Sequence, residues 1–420
     1  MAEIVLREFC KHLSKQLDAG VLLKKYLKEH RHFNCPDRII AIGKASLAML
    51  SALDKQMSET RQYFAVSPPG KSLKFKHLKG ETFFSAHPLP DRSSFMAGQA
   101  IVRFIEKTGK AEKLLIMITG GASSLMIAPA PGLTFDEKVL CHKLLVHSGF
   151  SISEINAVRR KISAIKGGKL LYKALSNGLY VSLIAISDVS SGLFHEIGSG
   201  PFSPDPTPIR TAIDIAKKIK DFPINAIRCM EHQKRTYTQA DFEHEFPDFV
   251  RRFTQKIIFD QRAAEQLTLS LLNNLGEPAR TIDFDALTDF LFERDSFTEI
   301  KPGVWHVSCG ENEIAIPVDI NPGKGGRASH NLLRAALNLK KKNIGFELAI
   351  LATDGKDGNS LMAGGWISSD MLAKIDERDL ISALENYDSA NFLSRQGLSF
   401  DAFSTESNVG DIYLFRQSDR

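Results

Sequence analysis

The sequence predicts an α/β protein: a doubly wound parallel sheet first, then a second, smaller α/β domain with a mixed sheet. Three observations carry the prediction. Up to about Ile219 the chain repeats a short run rich in Ile, Val, Leu or Phe, then a small-residue or acidic turn, then a helical stretch. These runs are apolar without alternation, as in strands buried on both faces. After a charged interval the pattern resumes, with a last buried run leading into Thr-Asp-Gly.

Taken in order, Val5, Phe9, Leu13 and Leu17 are spaced by four and predict a first helix. Strands are expected at 38–42, 63–66, 82–86, 113–118 and 180–186, with Gly-Lys, Pro-Pro-Gly and Gly-Gly as turn signals after several of them. Residues 221–262 carry Pro223, Pro247 and many charges but no strand pattern, and read as a partly helical connection. The first, Rossmann-like domain is therefore expected over 1–240, with 221–262 as the connecting region, and the second over 263–420. In the second, 263–275 reads as helix, and 304–307 and 313–318 flank Ser-Cys-Gly-Glu-Asn as a hairpin. Gly325-Gly326 opens a helix over 328–339, and 347–352 is a buried strand.

Length and composition bound the function. The 420 residues allow two or three domains. Lys and Arg number 54 against 49 Asp and Glu, a net charge of +5 that is spread out and gives no argument for nucleic acid. No apolar run approaches the ~20 residues of a membrane span. Glu3, Arg7, Glu8 and Lys11 lie where a signal peptide would be apolar. Five cysteines without a CxxC fit a reducing cytoplasm and no structural zinc. The expectation is a cytoplasmic protein, monomer or homodimer, acting on a small molecule.

In open α/β sheets, ligands bind outside the carboxyl ends of the strands. The polar and glycine residues collect there: Gly43-Lys44, His87 to Asp91, Thr119 to Ser124, Ser187-Asp188, and Thr353-Asp354-Gly355. Gly120, Gly121, Ser123 and Ser124 would present backbone N–H groups at a helix start, the arrangement that cradles phosphate or carboxylate. Lys44 at a helix start opposes the dipole, and a bound anion would make the position favourable. Gly325, Gly326 and Arg327 repeat the device with a guanidinium. Asp354 and Asp357 could hold Mg²⁺ or fix a lysine; an EF-hand is excluded because its twelfth position is Gly365. There is no GxxxxGK[ST], which excludes a P-loop, and no GxGxxG after a first strand, which argues against a nicotinamide cofactor. His87 and His330 are lone histidines, each expected in a core or surface role.

Taken together, Ala41 to Ala45, His87 to Asp91, Thr119 to Ser124, Asn156 to Lys161, Ile165 to Gly168, Ser187-Asp188-Val189, Ser199 to Pro201 and Pro204 to Thr207 resemble the glycerate 2-kinase family with a C-terminal MOFRL-type domain. In the second half the same is true of Ser308 to Glu311, Gly323 to Arg327, Thr353 to Gly358 and Ser407 to Asp411. The resemblance implies phosphorylation of D-glycerate at its 2-hydroxyl by ATP and Mg²⁺, giving 2-phosphoglycerate in a cleft between domains. Carried over by position, it makes Lys44 and Arg327 the catalytic cations. It makes Gly43, Gly120, Gly121, Ser123, Ser124, Asp188, Glu311, Gly325, Gly326 and Asn408 residues that bind substrate or nucleotide. Asp354, with Asp188, would face the metal. Where the family usually continues Gly-Gly-Arg-Asn-Gln-Glu, this chain has Gly-Gly-Arg-Ala-Ser-His over 325–330. A kinase for another small hydroxy acid, or a silent ligand-binding relative, are the alternatives.

Overall fold

Runs of long and β-branched apolar residues become the strands of a first sheet: β1 (Arg38–Ile42), β2 (Arg61–Ser67), β3 (Leu78–Phe84), β4 (Lys113–Ile118), β5 (Tyr180–Ile186) and β6 (Phe253–Phe259). The computed structural model describes residues 2–418 except 31, 32, 34, 71, 190, 234, 294–298 and 318. Its contacts divide the chain into two units, Leu23–Ile258 and Met1–Leu22 with Phe259–Arg420. Among the described residues, no helix is long and apolar enough to cross a membrane.

In the 23–258 unit the strand order is β3-β2-β1-β4-β5-β6. The pairings from β3 through β5 are all parallel. Ile40, Ile42, Phe64, Val66, Ile116 and Ile118 form one continuous core with the helices Arg92–Glu106 and Lys169–Ser176. The chain runs outward from β1 to β3, then returns to lay β4 on the other side of β1. That reversal is a topological switch point, where open α/β sheets leave a crevice.

Residues 221–262 depart from their expected role. They do hold the helices Ile224–Glu231 and Gln239–Glu245. They also supply β6, whose Thr254, Gln255 and Lys256 are exposed, so its run carries no apolar signature. Phe242, Phe246, Phe249 and Phe253 join the core, so the segment covers the sheet.

The expected boundary at 1–240 also differs from the structure. The first helix, Ala2–Gln16, buries Leu6, Phe9 and Leu13 with the 259–420 unit, where it meets the helix Gln261–Asn274. Ser407 Oγ donates to the Leu17 carbonyl, and Ala19 N–H donates to Thr405 O at 3.1 Å. Periodicity shows that a helix face is buried, not which sheet buries it.

The second sheet comprises β7 (Ala279–Thr281), β8 (Trp305–Gly310), β9 (Phe346–Ala352), β10 (Met362–Ser368), β11 (Ser399–Asp401) and β12 (Asp411–Gln417). Its order is β11-β10-β9-β12-β8-β7, with β7 parallel to β8 and the other pairings antiparallel. The mixed sheet is as expected, but the hairpin at 304–318 is not formed. Residues 311–317 contain no strand, Ile316 is 46% exposed, and β8 pairs with β12 and β7; Val318 lies outside the described residues. Pro317, lacking an N–H, disfavours a strand there. β10 escapes the sequence reading because Gly364-Gly365 interrupts its apolar run.

The helix Arg327–Lys341 starts one residue before its expected position. Its first N–H groups are capped from a distant loop: Ala328 N–H donates to Asp357 Oδ1 at 2.9 Å and Ser329 N–H to Asp357 Oδ2 at 3.0 Å. Asp357 is buried, and its two oxygens are spent on the positive helix end, which removes it from the candidates for a metal.

Candidate active site

At the switch point, β1 runs into Gly43-Lys44 and β4 into Thr119-Gly120-Gly121. The two turns are stitched together. Lys44 N–H donates to Gly120 O at 3.0 Å, and Ala45 N–H donates to Thr119 Oγ1 at 3.1 Å. Gly43 has φ of 125°, and a Cβ there would lie 2.1 Å from Thr119 Oγ1, so only glycine allows this approach. The backbone of Lys44 is thus held on both sides while its side chain is exposed. Among the described residues its ammonium has no hydrogen-bond or ion-pair partner.

Gly121, with φ of 86°, opens space for two neighbours. A Cβ there would lie 2.7 Å from His87 Cδ2 and 3.4 Å from Lys44 Cγ. His87 therefore stands beside Lys44, which the sequence reading did not anticipate. Burial, and then the Lys44 charge, hold its imidazole below the ordinary histidine value, so it is neutral at pH 7. Asp188, following β5, faces the same turn: a Cβ on Gly120 would lie 2.7 Å from its Oδ2.

The serines of the loop do different work from that expected. Ser124 is buried and its hydroxyl donates to Gly121 O at 3.2 Å. Ser123 Oγ meets Ser199 Oγ at 3.0 Å, and Lys166 Nζ donates to Ser123 O at 2.7 Å. The helix expected after the loop is the single turn Ala122–Leu125, too short to build an appreciable dipole.

The segment 156–168 lies behind this loop. Arg160 Nε and Lys161 Nζ donate to the two oxygens of Asp205 at 2.9 and 2.7 Å, and all three side chains are buried. Burial alone would raise the Asp205 carboxyl, but the two cations hold it below the usual carboxylate range. Asp205→Ala would leave two buried cations unpaired and should cost about 3–5 kcal/mol in urea unfolding. A loss under ~1 kcal/mol would show that the pairing contributes nothing net.

In the 259–420 unit, β12 runs antiparallel to β8 and β9, so its start meets their ends. Asp411 pairs in register with Gly310 and Ala352. This edge gathers Glu311, Asp354, Asn408 and Asp411 with Arg327 at the helix start. Arg327 Nη2 donates to Glu311 Oε1 at 2.6 Å, and its Nε donates to Asp411 Oδ2 at 3.2 Å. Burial pushes Asp411 up to about 7 even with Arg327 beside it. Asp411 is the partner that the sequence reading missed. Asn408 Oδ1 accepts from Gly410 N–H at 3.3 Å, and Asp354 Oδ1 from Lys356 N–H at 3.1 Å. The Gly325 and Gly326 N–H groups are already bonded, to Asn359 Oδ1 at 2.9 Å and Ser329 Oγ at 3.3 Å, so they are not the open cradle expected. His330 is buried and stacks on Tyr387 with ring centroids 5.0 Å apart, a core role as expected. Among the described residues, no three His, Cys, Asp or Glu side chains gather to hold a metal ion.

The family model described as a domain of unknown function (DUF4147) matches residues 5–230, and the MOFRL family model matches 304–411. A protein of Agrobacterium vitis, provisionally named a hydroxypyruvate reductase, is 30% identical over 92% of this chain and 88% of its own. The glycerate 2-kinase of Pyrococcus horikoshii is 28% identical over 90% and 86%. The crystal structure of a glycerate kinase from Thermotoga maritima is similar with a TM-score of 0.79, covering 98% of this chain and 99% of that one, at 23% identity. At that identity the likeness is one of fold.

Proposed function

Because the chain belongs to the glycerate 2-kinase family with a C-terminal MOFRL domain, we propose that it transfers the γ-phosphoryl of ATP to the 2-hydroxyl of D-glycerate, giving 2-phosphoglycerate. The observation that carries this reading is Lys44: an exposed cation without a partner among the described residues, on a backbone locked between β1 and β4 at the switch point. Phosphoryl transfer asks a protein mainly for positioning and charge neutralisation. Lys44 serves the transferring phosphoryl group, and Arg327, aimed by Glu311 and Asp411, is the second cation of the reaction. In this reading His87, neutral beside Lys44, receives the hydroxyl proton.

Magnesium usually binds through one or two carboxylates together with substrate phosphates. The scattered donor set fits an ion that arrives with the nucleotide, held by Asp188 or Asp354. When bound, it neutralises charge on the phosphates. Asn408 and Glu311 belong to the same substrate-binding group in this reading, as do Gly43, Gly120, Gly121 and Ser123. We place the enzyme in the cytoplasm, as a monomer or homodimer, consistent with the free cysteines among its described residues.

Assay of the purified protein with ATP and Mg²⁺ over a panel of sugar acids tests the reading. D-glycerate should be the best acceptor, and NMR should place the phosphate on carbon 2. Phosphate on carbon 3, or no turnover with any acid, would defeat it. The Agrobacterium vitis relative favours a second reading, a nicotinamide-dependent hydroxypyruvate reductase. β1 here runs into Gly43-Lys44-Ala45 instead of a GxGxxG turn, which opposes it. Oxidation of NADH by hydroxypyruvate is therefore expected to be absent.

A further inference from the structure

Behind the glycine loop, the 23–258 unit holds a recess lined by Ser123, Lys138, His142, Arg159 and Lys166 against apolar walls. We propose that this recess binds the carboxylate of the acceptor acid, an assignment that rests on the reading above that the chain phosphorylates a small hydroxy acid.

The first argument is charge. Lys138 and Lys166 are buried, yet among the described residues neither reaches a carboxylate. Lys138 Nζ donates to the carbonyls of Ile162 at 3.1 Å and Arg159 at 3.4 Å. Lys166 Nζ donates to the carbonyls of Ser123 and Gly198 at 2.7 and 3.1 Å. Among the described residues Arg159 Nε is buried without a hydrogen-bond partner, and Arg159 Nη1 donates to Asn156 Oδ1 at 3.5 Å. The next two residues of the same helix, Arg160 and Lys161, share the carboxylate of Asp205. Arg160 and Lys161 thus have a carboxylate between them, whereas Lys138, Arg159 and Lys166 meet only neutral oxygens among the described residues. Buried charge without a counter-charge is costly. Burial pushes Lys138 down to about 7 and Arg159 to about 10. A bound anion would offset that cost.

The second argument is size and shape. The recess encloses about 10 Å³, room for one oxygen-sized atom. Arg159 and His142 are partly exposed while Lys138 and Lys166 are not, so the guanidinium and imidazole form the rim and the ammoniums the floor. One carboxylate oxygen fits inside, with the other at the guanidinium, which suits two-pronged binding. A polyphosphate does not fit. The third argument is position: Ser123 lies two residues from Gly121, so the recess and the surroundings of Lys44 share one loop.

The test is Arg159→Gln. The KM for D-glycerate should rise about 10- to 100-fold, the cost of losing a charged hydrogen-bonding partner, while the KM for ATP and the circular dichroism stay unchanged. Arg159→Lys, which keeps the charge but not the fork, should fall between. In thermal unfolding, glycerate and acetate should protect the wild type and not Arg159→Gln. Unchanged KM and unchanged protection in Arg159→Gln would overturn the assignment while leaving the kinase reading intact. Protection by inorganic phosphate but by no carboxylate would also overturn it. If the wild type phosphorylates no acid, yet carboxylates protect it and not the variant, the recess stands and the kinase reading falls.

Discussion

Lys44→Ala is expected to lower kcat by at least ~10²–10³ while leaving the melting temperature of the protein unchanged, read by steady-state kinetics and thermal unfolding. The size of the loss is that of removing one preorganised group that stabilises charge in the transition state. The unchanged stability follows from the structure: the side chain is exposed and has no hydrogen-bond or ion-pair partner among the described residues, so its removal breaks no polar bond there. The turn around it is held by backbone bonds from Lys44 N–H and Ala45 N–H, and alanine keeps both. A variant with most of its activity would remove Lys44 from the reaction. A variant that melts early would mean that the lysine has a structural role.

Arg327→Ala is expected to lose activity to a similar degree and, unlike Lys44→Ala, to lose stability. From the sequence, this substitution is expected to leave folding intact; the structure revises that. Arg327 is the cation between Glu311 and Asp411, and Asp411 is 2% exposed. Breaking a buried pair from one side costs ~3–5 kcal/mol, and the low end applies because Arg327 and Glu311 are 33% and 30% exposed. The loss depends on pH with a defined sign. A carboxyl whose folded value lies above its unfolded one binds more protons in the folded state, so stability falls as pH rises between the two. Asp411 already sits at about 7 with Arg327 present, and removing the cation raises it further. The deficit should therefore be smaller at pH 5 than at pH 8 in urea unfolding. Adding Asp411→Asn should flatten the difference. A deficit equal at both pH values would show that Arg327 acts on stability through some other contact.

What could be read in the sequence follows from what each residue needs locally. β1, β4 and β5 are central and buried on both faces, so their composition alone marks them. β6 carries exposed Thr-Gln-Lys at an edge, and β10 carries two glycines, so neither shows the expected pattern. Gly43, Lys44 and Gly121 were legible because turns at strand ends are local events. His87 was not, because its approach to Lys44 depends on two separate strand ends meeting across the sheet. The recess of Lys138, His142, Arg159 and Lys166 was equally hidden: its side chains come from separate segments, and a lysine that will be buried looks like one that will be solvated. The one available signal was the density of basic residues from Arg159 to Lys169 with apolar residues between them. Asp357 reads as a metal candidate by composition, and only the position of a distant helix shows that its oxygens are already engaged.

The placement of the first helix with the last segment of the chain has a consequence for synthesis. Arg7 donates to the Gly397 carbonyl, and the Ser407 hydroxyl donates to the Leu17 carbonyl, each across 390 residues. At ~5–20 residues per second a ribosome needs roughly 20–80 s to make that stretch. During that interval Leu6, Phe9 and Leu13 have emerged without the surface that will cover them, on a 15-residue helix that is marginal alone. The 23–258 unit can complete its sheet meanwhile, so this helix, translated before that unit, is secured after it, and nascent chains should be most exposed to chaperones and proteases there.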